Sequence, residues 1–256
     1  MTLPSKSPQR LLIGAGCFAD AQAALQLAEQ IAGSLAGDLG GLLVEENIFS
    51  EVVDLPGQRV VTSSGTLVVA PSRQQVRTLI ESDAKAFRDT LSGLAQSKAC
   101  KWSFERRRGD LIGGLCAAAV GWDILILGHR ETHRQAGKVV LITPPAVAQQ
   151  SAVGFAEDLA KVLQVDLDVV SLGIVDTSVQ QGGPRSSEDA LLARVNRTNA
   201  AAVVLDLSAG PLHTHDQLRH LLAVARCPVL VLGAAQGEPS IAHTTHIPPV
   251  ADGSES

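Results

Sequence analysis

Short continuous apolar runs alternate along this chain with longer stretches in which apolar residues recur every three or four positions. Leu11 to Gly14 is the first such run, as expected of a strand buried on both faces of a parallel sheet. From Ala21 onward, Ala24, Leu25, Ala28, Ile31, Ala32 and Leu35 fall at helical spacing, with Gln22, Gln26, Glu29 and Gln30 on the opposite face. Gly37-Asp38 reads as the end of that helix, and Leu39 to Glu45 re-enters the sheet. Strands and helices alternating at these distances predict right-handed parallel crossovers and a doubly wound α/β fold.

The pattern breaks at about 47–71. There Arg59-Val60-Val61-Thr62 and Thr66-Leu67-Val68-Val69 flank Ser63-Ser64-Gly65, which reads as a hairpin or arm outside the parallel sheet. A long helix capped near Ser72 follows, with Val76, Leu79, Ile80, Phe87, Leu91 and Leu94 along one face. Then come a strand at Trp102 to Arg106, a helix from Leu111 to Val120 and a strand at Ile124 to Gly128. After a strand near Val169, the second half continues with a helix capped at Ser186 or Ser187 and a strand from Ala202. Its last helix runs from Gln217 to Ala225, and its final strand follows Pro228.

Two segments match without a gap at a shift of 128 positions. Arg10 pairs with Lys138, Ala28 with Ala156, Glu29 with Glu157, Leu35 with Leu163, and Asp38-Leu39 with Asp166-Leu167. Read as an internal duplication, the chain divides into a tail at 1–9, a first unit at 10–137, a shorter second unit at 138–233 and a flexible tail at 234–256.

Composition narrows the function. With 45% hydrophobic residues the chain folds, and at 256 residues it needs no staples. Aromatics are only 3% and tyrosine is absent, so platforms for stacking bases or sugars are scarce, which argues against single-stranded nucleic acid and carbohydrate ligands. A net charge of −5 offers no general attraction to phosphate backbones, and no apolar run reaches the roughly 18 residues of a membrane span. No nucleic acid and no membrane insertion are expected. Cys17, Cys100, Cys116 and Cys227 show no metal or C-x-x-C spacing and fit a reducing cytoplasm, Cys17 being the one placed before a helix.

Ligands in open parallel sheets sit at the carboxyl ends of strands, here the loops from Ala15, Glu45, Gly128, Thr143 and Leu207. Gly14-Ala15-Gly16 has two glycines of a dinucleotide turn, but Ala19 stands where the third belongs; Glu45 and Glu46 lie where the acidic partner would be. Tight strand-to-helix packing explains the glycines equally well. His213, His215, Asp216 and His220 read either as metal ligands or as exposed and capping groups. His129 and His133 occupy the Gly128 loop, without a nucleophile or partnered carboxylate. Arg106-Arg107-Arg108 reads as a solvated strand end or as a contact to phosphate or a partner.

Taken together, Arg10-Leu11-Leu12-Ile13-Gly14, Gly41-Leu42-Leu43-Val44-Glu45, Gly109-Asp110, Trp122 to Gly128 and Ala225-Arg226-Cys227-Pro228-Val229-Leu230-Val231-Leu232 resemble the universal stress protein (UspA-like) family over most of residues 10–233. The resemblance implies two adenine nucleotide alpha hydrolase-like units in tandem, each a doubly wound parallel sheet and each incomplete. The first lacks the family's last helix and fifth strand and the second its third strand region, so the halves are expected to pack as one intramolecular pseudo-dimer.

Family members that bind ATP end their first strand in Asp, where Ala15 and Thr143 stand here. Their fourth strand leads into G-x-x-G and a later Gly-Ser. Here Glu131 replaces the second glycine in the first half, and in the second half Leu207-Ser208-Ala209-Gly210 has no later Gly-Ser. The resemblance therefore implies a cytoplasmic, non-catalytic binding or regulatory protein with eroded phosphate loops. One alternative is an adenine-nucleotide binder with weak or no ATPase activity, holding ATP or AMP in an altered pocket of Gly16, Val44, Gly109 and Gly128. The other is a regulatory partner of a transporter or kinase acting through the 59–69 arm. A homodimer through a sheet edge is also implied.

Overall fold

The computed structural model describes residues 9–46, 59–61, 67–69, 72–128, 137–144, 150–171 and 187–238. Ten strands lie among them: β1 (Gln9–Ala15), β2 (Ala36–Glu45), β3 (Arg59–Val61), β4 (Leu67–Val69), β5 (Lys101–Arg108), β6 (Ile124–Leu127), β7 (Lys138–Thr143), β8 (Leu167–Ser171), β9 (Ala200–Asp206) and β10 (Val229–Leu232). The helices are α1 (Phe18–Ile31), α2 (Arg73–Ser97), α3 (Leu111–Ala118), α4 (Gln150–Leu163), α5 (Ser187–Arg197) and α6 (His215–Val224).

Eight strands form a single sheet in the order β5-β2-β1-β6-β10-β9-β7-β8. The first four run parallel to one another, the last four do likewise, and the two sets meet antiparallel where β10 pairs with β6, Leu230 opposite Ile126. Neither set closes by itself. β6 and β10 are buried at every position, so parting them would expose two apolar edges.

Because the inner strands are covered on both sides, their alternate residues feed two separate cores. On one face α1, α2 and α4 pack over Leu11, Ile13, Leu39, Val139 and Leu141. On the other, α3, α5 and α6 cover Leu12, Leu42, Val140, Val203 and Val231. Phe87 of α2 is fully buried and meets Phe104 of β5 edge to face, with ring centroids 5.3 Å apart. Burying one such side chain contributes about 2–3 kcal/mol.

Helix ends depart from the sequence reading in instructive ways. α1 stops at Ile31, six residues before Gly37, because the chain turns at Gly33 with φ 86° and Leu35 donates its amide to Ile31. α4 ends one turn later than the position matched to Ile31 and leaves through Gln164 at φ 56°. The strands nevertheless keep step: Leu11 pairs with Leu39 and Val139 with Leu167, positions that the sequence match treats as equivalent.

α2 begins as expected, with the Ser72 hydroxyl accepting from the Gln75 amide and the Gln75 side chain accepting from the Ser72 amide. Its first turns overhang the core, however, so Val76 and Ile80 are half-buried and Leu79 is exposed. β3 and β4 pair antiparallel with each other as a separate two-stranded sheet. Order also continues past 233: Gly233 turns at φ 62°, Ala234–Gln236 forms a 3-10 turn, and the Glu238 amide donates to the His213 carbonyl. The segment 234–238 is therefore part of the fold, because Ala234 is buried in the second core.

Candidate functional site

The opposed strand sets divide the five carboxyl-end loops into two groups. Those after Ala15, Glu45 and Leu127 open at one end of the sheet, and those after Thr143 and Asp206 at the other. The first group surrounds a point at the carboxyl ends of β1, β2 and β6; at the second point, the adjacent strands β7 and β9 lead to helices on opposite faces of the sheet, α4 and α6.

At the first point three of the four predicted residues gather. A β-carbon placed on Gly16 would lie 3.9 Å from the Val44 carbonyl and 3.7 Å from the Leu111 side chain, and the Gly109 amide donates to the Glu45 carbonyl at 3.1 Å. Gly128 stands apart in role. A β-carbon there would fall 1.8 Å from the Asp20 carbonyl oxygen and 3.3 Å from the Ala24 β-carbon, so this backbone is seated on the first turns of α1. Gly128 is thus a close-approach glycine.

The start of α1 is already served by acids. The Phe18 amide donates to the Asp83 carboxylate of α2 at 3.2 Å, and the Cys17 thiol donates to Asp20 at 3.0 Å. A helix N-terminus favours an anion through its free amides and dipole, and here Asp83 takes that place while Asp20 adds a second negative group. A phosphate would have to displace the first and face the second.

The arginine run is likewise occupied. Arg106 binds Glu45 at 2.6 Å and Glu81 at 2.8 Å, Arg108 reaches Glu45 at 3.3 Å, and Arg107 pairs with Glu105 at 2.8 Å. Hydrogen bonding to Glu81 and then Glu45 holds Arg106 still more firmly protonated, and the Arg106 guanidinium lowers the Glu81 pKa below the usual carboxylate range. Of the two sequence readings, the structure gives the strand end, with its charge neutralised in place.

At the second point stand Thr143 and Asp206, the buried polar side chains of the described residues. Asp206 accepts from the Ser208 amide at 2.8 Å and hydroxyl at 2.5 Å, and the Gly210 amide returns to the Asp206 carbonyl at 2.7 Å. These bonds fold the Leu207-Ser208-Ala209-Gly210 loop back on its own strand, with Leu207 and Leu212 buried beneath it. The sequence did not single out Asp206; its position as the last residue of an apolar strand was the signal.

The histidines do not converge. His220 bonds Glu188 through Nδ1 at 3.1 Å, Asp216 pairs with Arg219, and the His213 amide donates to Gln217. Thr214, rather than a histidine, caps α6. His215 packs toward the first turn of α3, its Nε2 buried without a hydrogen-bond partner, while Arg219 crosses to Asp110 at 2.8 Å. Among the described residues no group of three or more His, Cys, Asp or Glu could hold a metal, and no helix is long and apolar enough to cross a membrane. His129, Glu131, His133, His243 and His246 lie outside the described residues. None of the four cysteines forms a disulfide; burial pushes the Cys116 thiol up to about 11 and Cys227 to about 12, with Asp110 adding to the first.

No family profile matches the sequence, and no curated protein matches it. Solved structures do. A universal stress protein from Archaeoglobus fulgidus DSM 4304 superposes with a TM-score of 0.52 over 90% of this chain and 97% of its own, at 11% identity. A universal stress protein in complex with cAMP matches 64% of this chain and 98% of its own at 14% identity, but its TM-score of 0.28 is too low to inform the site. With the mostly parallel sheet and helices on both faces, the first of these matches shows that this chain has the universal stress protein fold.

Proposed function

We propose that this chain is a universal-stress-like binding or regulatory protein of the reducing cytoplasm, without catalysis, in which two incomplete, duplicated units act as one body. It does not use a nucleoside triphosphate. The observation that carries this reading is the Asp83 carboxylate on the Phe18 amide, at the helix start where an anion belongs. The Gly128 backbone against Asp20 and the Asp206 loop folded on itself support it, since each takes space or donors that a phosphate chain needs. The residues present do not fit a triphosphate.

Calorimetric titration with ATP, AMP and cyclic AMP tests the reading. The expected result is no saturable heat with ATP. Micromolar ATP binding that Gly16→Val abolishes in a protein of unchanged melting temperature would overturn it.

A second reading rests on the gathering of Gly16, Val44 and Gly109 at one crevice. An adenine ligand with one phosphate, such as AMP, could meet backbone groups there without needing a long anion cradle. Native mass spectrometry of gently purified protein distinguishes the two readings: a co-purified mass equal to AMP favours the second. Action as a partner of a transporter or kinase draws on the β3–β4 pair, which joins no strand of the large sheet. Deleting 59–69 is expected to abolish capture of such a partner.

A further inference from the structure

We infer that the pocket between the ends of α5 and α6 binds a phosphoryl group, carried by inorganic phosphate or by a small phosphate ester, through Arg197 and Arg226. α5 ends at Arg197 and reaches β9 through Thr198 and Asn199, while α6 ends at Val224 and reaches β10 through residues 225–228. Because β9 and β10 are parallel neighbours, with Val203 opposite Val229, both connections emerge side by side at the amino ends of the two strands. They border a cavity of about 210 Å³. It belongs to neither crevice, since those lie at the carboxyl ends of their strands.

The lining is one-sided in charge. Buried Val195 and Ala225 give it an apolar part, and Arg197, Arg226, Asn196 and Asn199 give it a polar one. No Asp or Glu lines it among the described residues. Two other arginines of the same helices are matched with acids: Arg194 meets Asp168 at 3.5 Å, and Arg219 meets Asp110 at 2.8 Å. Among the described residues no carboxylate pairs with Arg197 or Arg226. Arg197 donates through Nε to the Ala193 carbonyl at 3.0 Å, so its terminal nitrogens keep their donors.

The helix ends account for only part of this charge. Each helix C-terminus carries about half a negative charge, so the two together offset about one of the two guanidiniums. About one positive charge is left over, in a chain whose net charge is −5. A guanidinium presents its N–H groups as a planar fork that fits phosphate oxygens, and a dianion answers two such forks. The side-chain amides of Asn196 and Asn199 add neutral donors at the same pocket. A cavity of this size takes a phosphoryl group with or without a short organic substituent.

Titration calorimetry of the full chain with inorganic phosphate and with glycerol 3-phosphate, at low ionic strength to limit screening, tests the inference. One saturable site per chain is expected, with Kd at or below about 1 mM for at least one of the two. Binding of the ester about tenfold tighter than the free ion identifies an ester as the ligand, and equal binding identifies the ion. Acetate, with a single charge, should bind at least about tenfold more weakly than phosphate. Arg197→Gln and Arg226→Gln should each weaken binding about tenfold or more, through loss of a charge-assisted contact. Both positions are exposed, so circular dichroism should stay unchanged. Arg88→Gln, at an exposed position of α2, and Gly16→Val, at the first crevice, should leave binding as it was. The Gly16→Val control separates this site from the crevice, so that either reading can fail alone. No saturable heat with either phosphate compound, acetate binding as tightly as phosphate, or unchanged affinity in both glutamine variants would each overturn the inference. Unchanged affinity joined to a lower melting temperature would show that the two arginines serve only the helix ends.

Discussion

Adding one methyl group to either of two glycines at the first crevice should have opposite consequences. At Gly128 the new β-carbon lands 1.8 Å from the Asp20 carbonyl oxygen, a backbone atom held within α1. Ordinary contact requires the loop or the helix to move by about 1.5 Å, and overpacking of this kind costs about 3 kcal/mol. In a chain of this length that lowers the melting temperature by roughly 6–12 °C. At Gly16 the β-carbon meets the Leu111 side chain at 3.7 Å, ordinary contact, and the backbone needs no left-handed conformation. There the smaller freedom of alanine in the unfolded chain should raise stability by about 0.5 kcal/mol. Urea and thermal unfolding of Gly128→Ala and Gly16→Ala measure the difference directly. If Gly128→Ala melts with the unaltered protein but loses a bound ligand, Gly128 is a ligand contact and the packing account is wrong. Equal losses at both positions would also refute it.

Two helices leave through non-glycine residues in the left-handed region, Ala99 at φ 53° and Gln164 at φ 56°. Ala99→Gly and Gln164→Gly should each stabilise by about 1 kcal/mol, seen as a higher urea midpoint. Because Arg106 depresses the Glu81 pKa, that pair contributes stability above the unfolded carboxylate pKa and loses it as pH falls through the lower folded value; Glu81→Gln should show a smaller loss on acidification in a pH series of melting curves. Alkylation followed by peptide mass mapping at neutral pH should label half-buried Cys17 and Cys100 well before buried Cys116 and Cys227, whose thiols are raised to about 11 and about 12. Equal rates at all four would show that the second core opens.

Much of this molecule was legible locally, because apolar periodicity reports which faces are buried before it reports against what. The β1, β2, β6 and β10 runs, the Ser72 cap and the core face of α2 from Phe87 onward all follow from residue spacing. Helix ends were less legible: Gly37 and Gly33 are both plausible stops, and the choice fell to the strand register that draws Leu39 beside Leu11. Gly16, Val44 and Gly109 are grouped by the family resemblance, and the structure sets them at the carboxyl ends of neighbouring parallel strands. Gly128 looked like their equal, since a glycine needed for a ligand and one needed for a helix are the same letter.

By itself, the sequence determined the alternation of strands and helices, the matched halves, a cysteine spacing that suits neither metal nor C-x-x-C chemistry, and the poverty of aromatic platforms. Only the tertiary structure decided that the halves share one sheet through β6 and β10, which places their carboxyl-end loops at opposite ends. It alone revealed that Asp83, well inside a different helix, caps α1, and that Glu45 and Glu81 neutralise Arg106. The physical reason is that periodicity is a property of neighbouring residues along the chain. Electrostatic occupancy and steric approach are instead set by residues that only folding brings within a few ångströms.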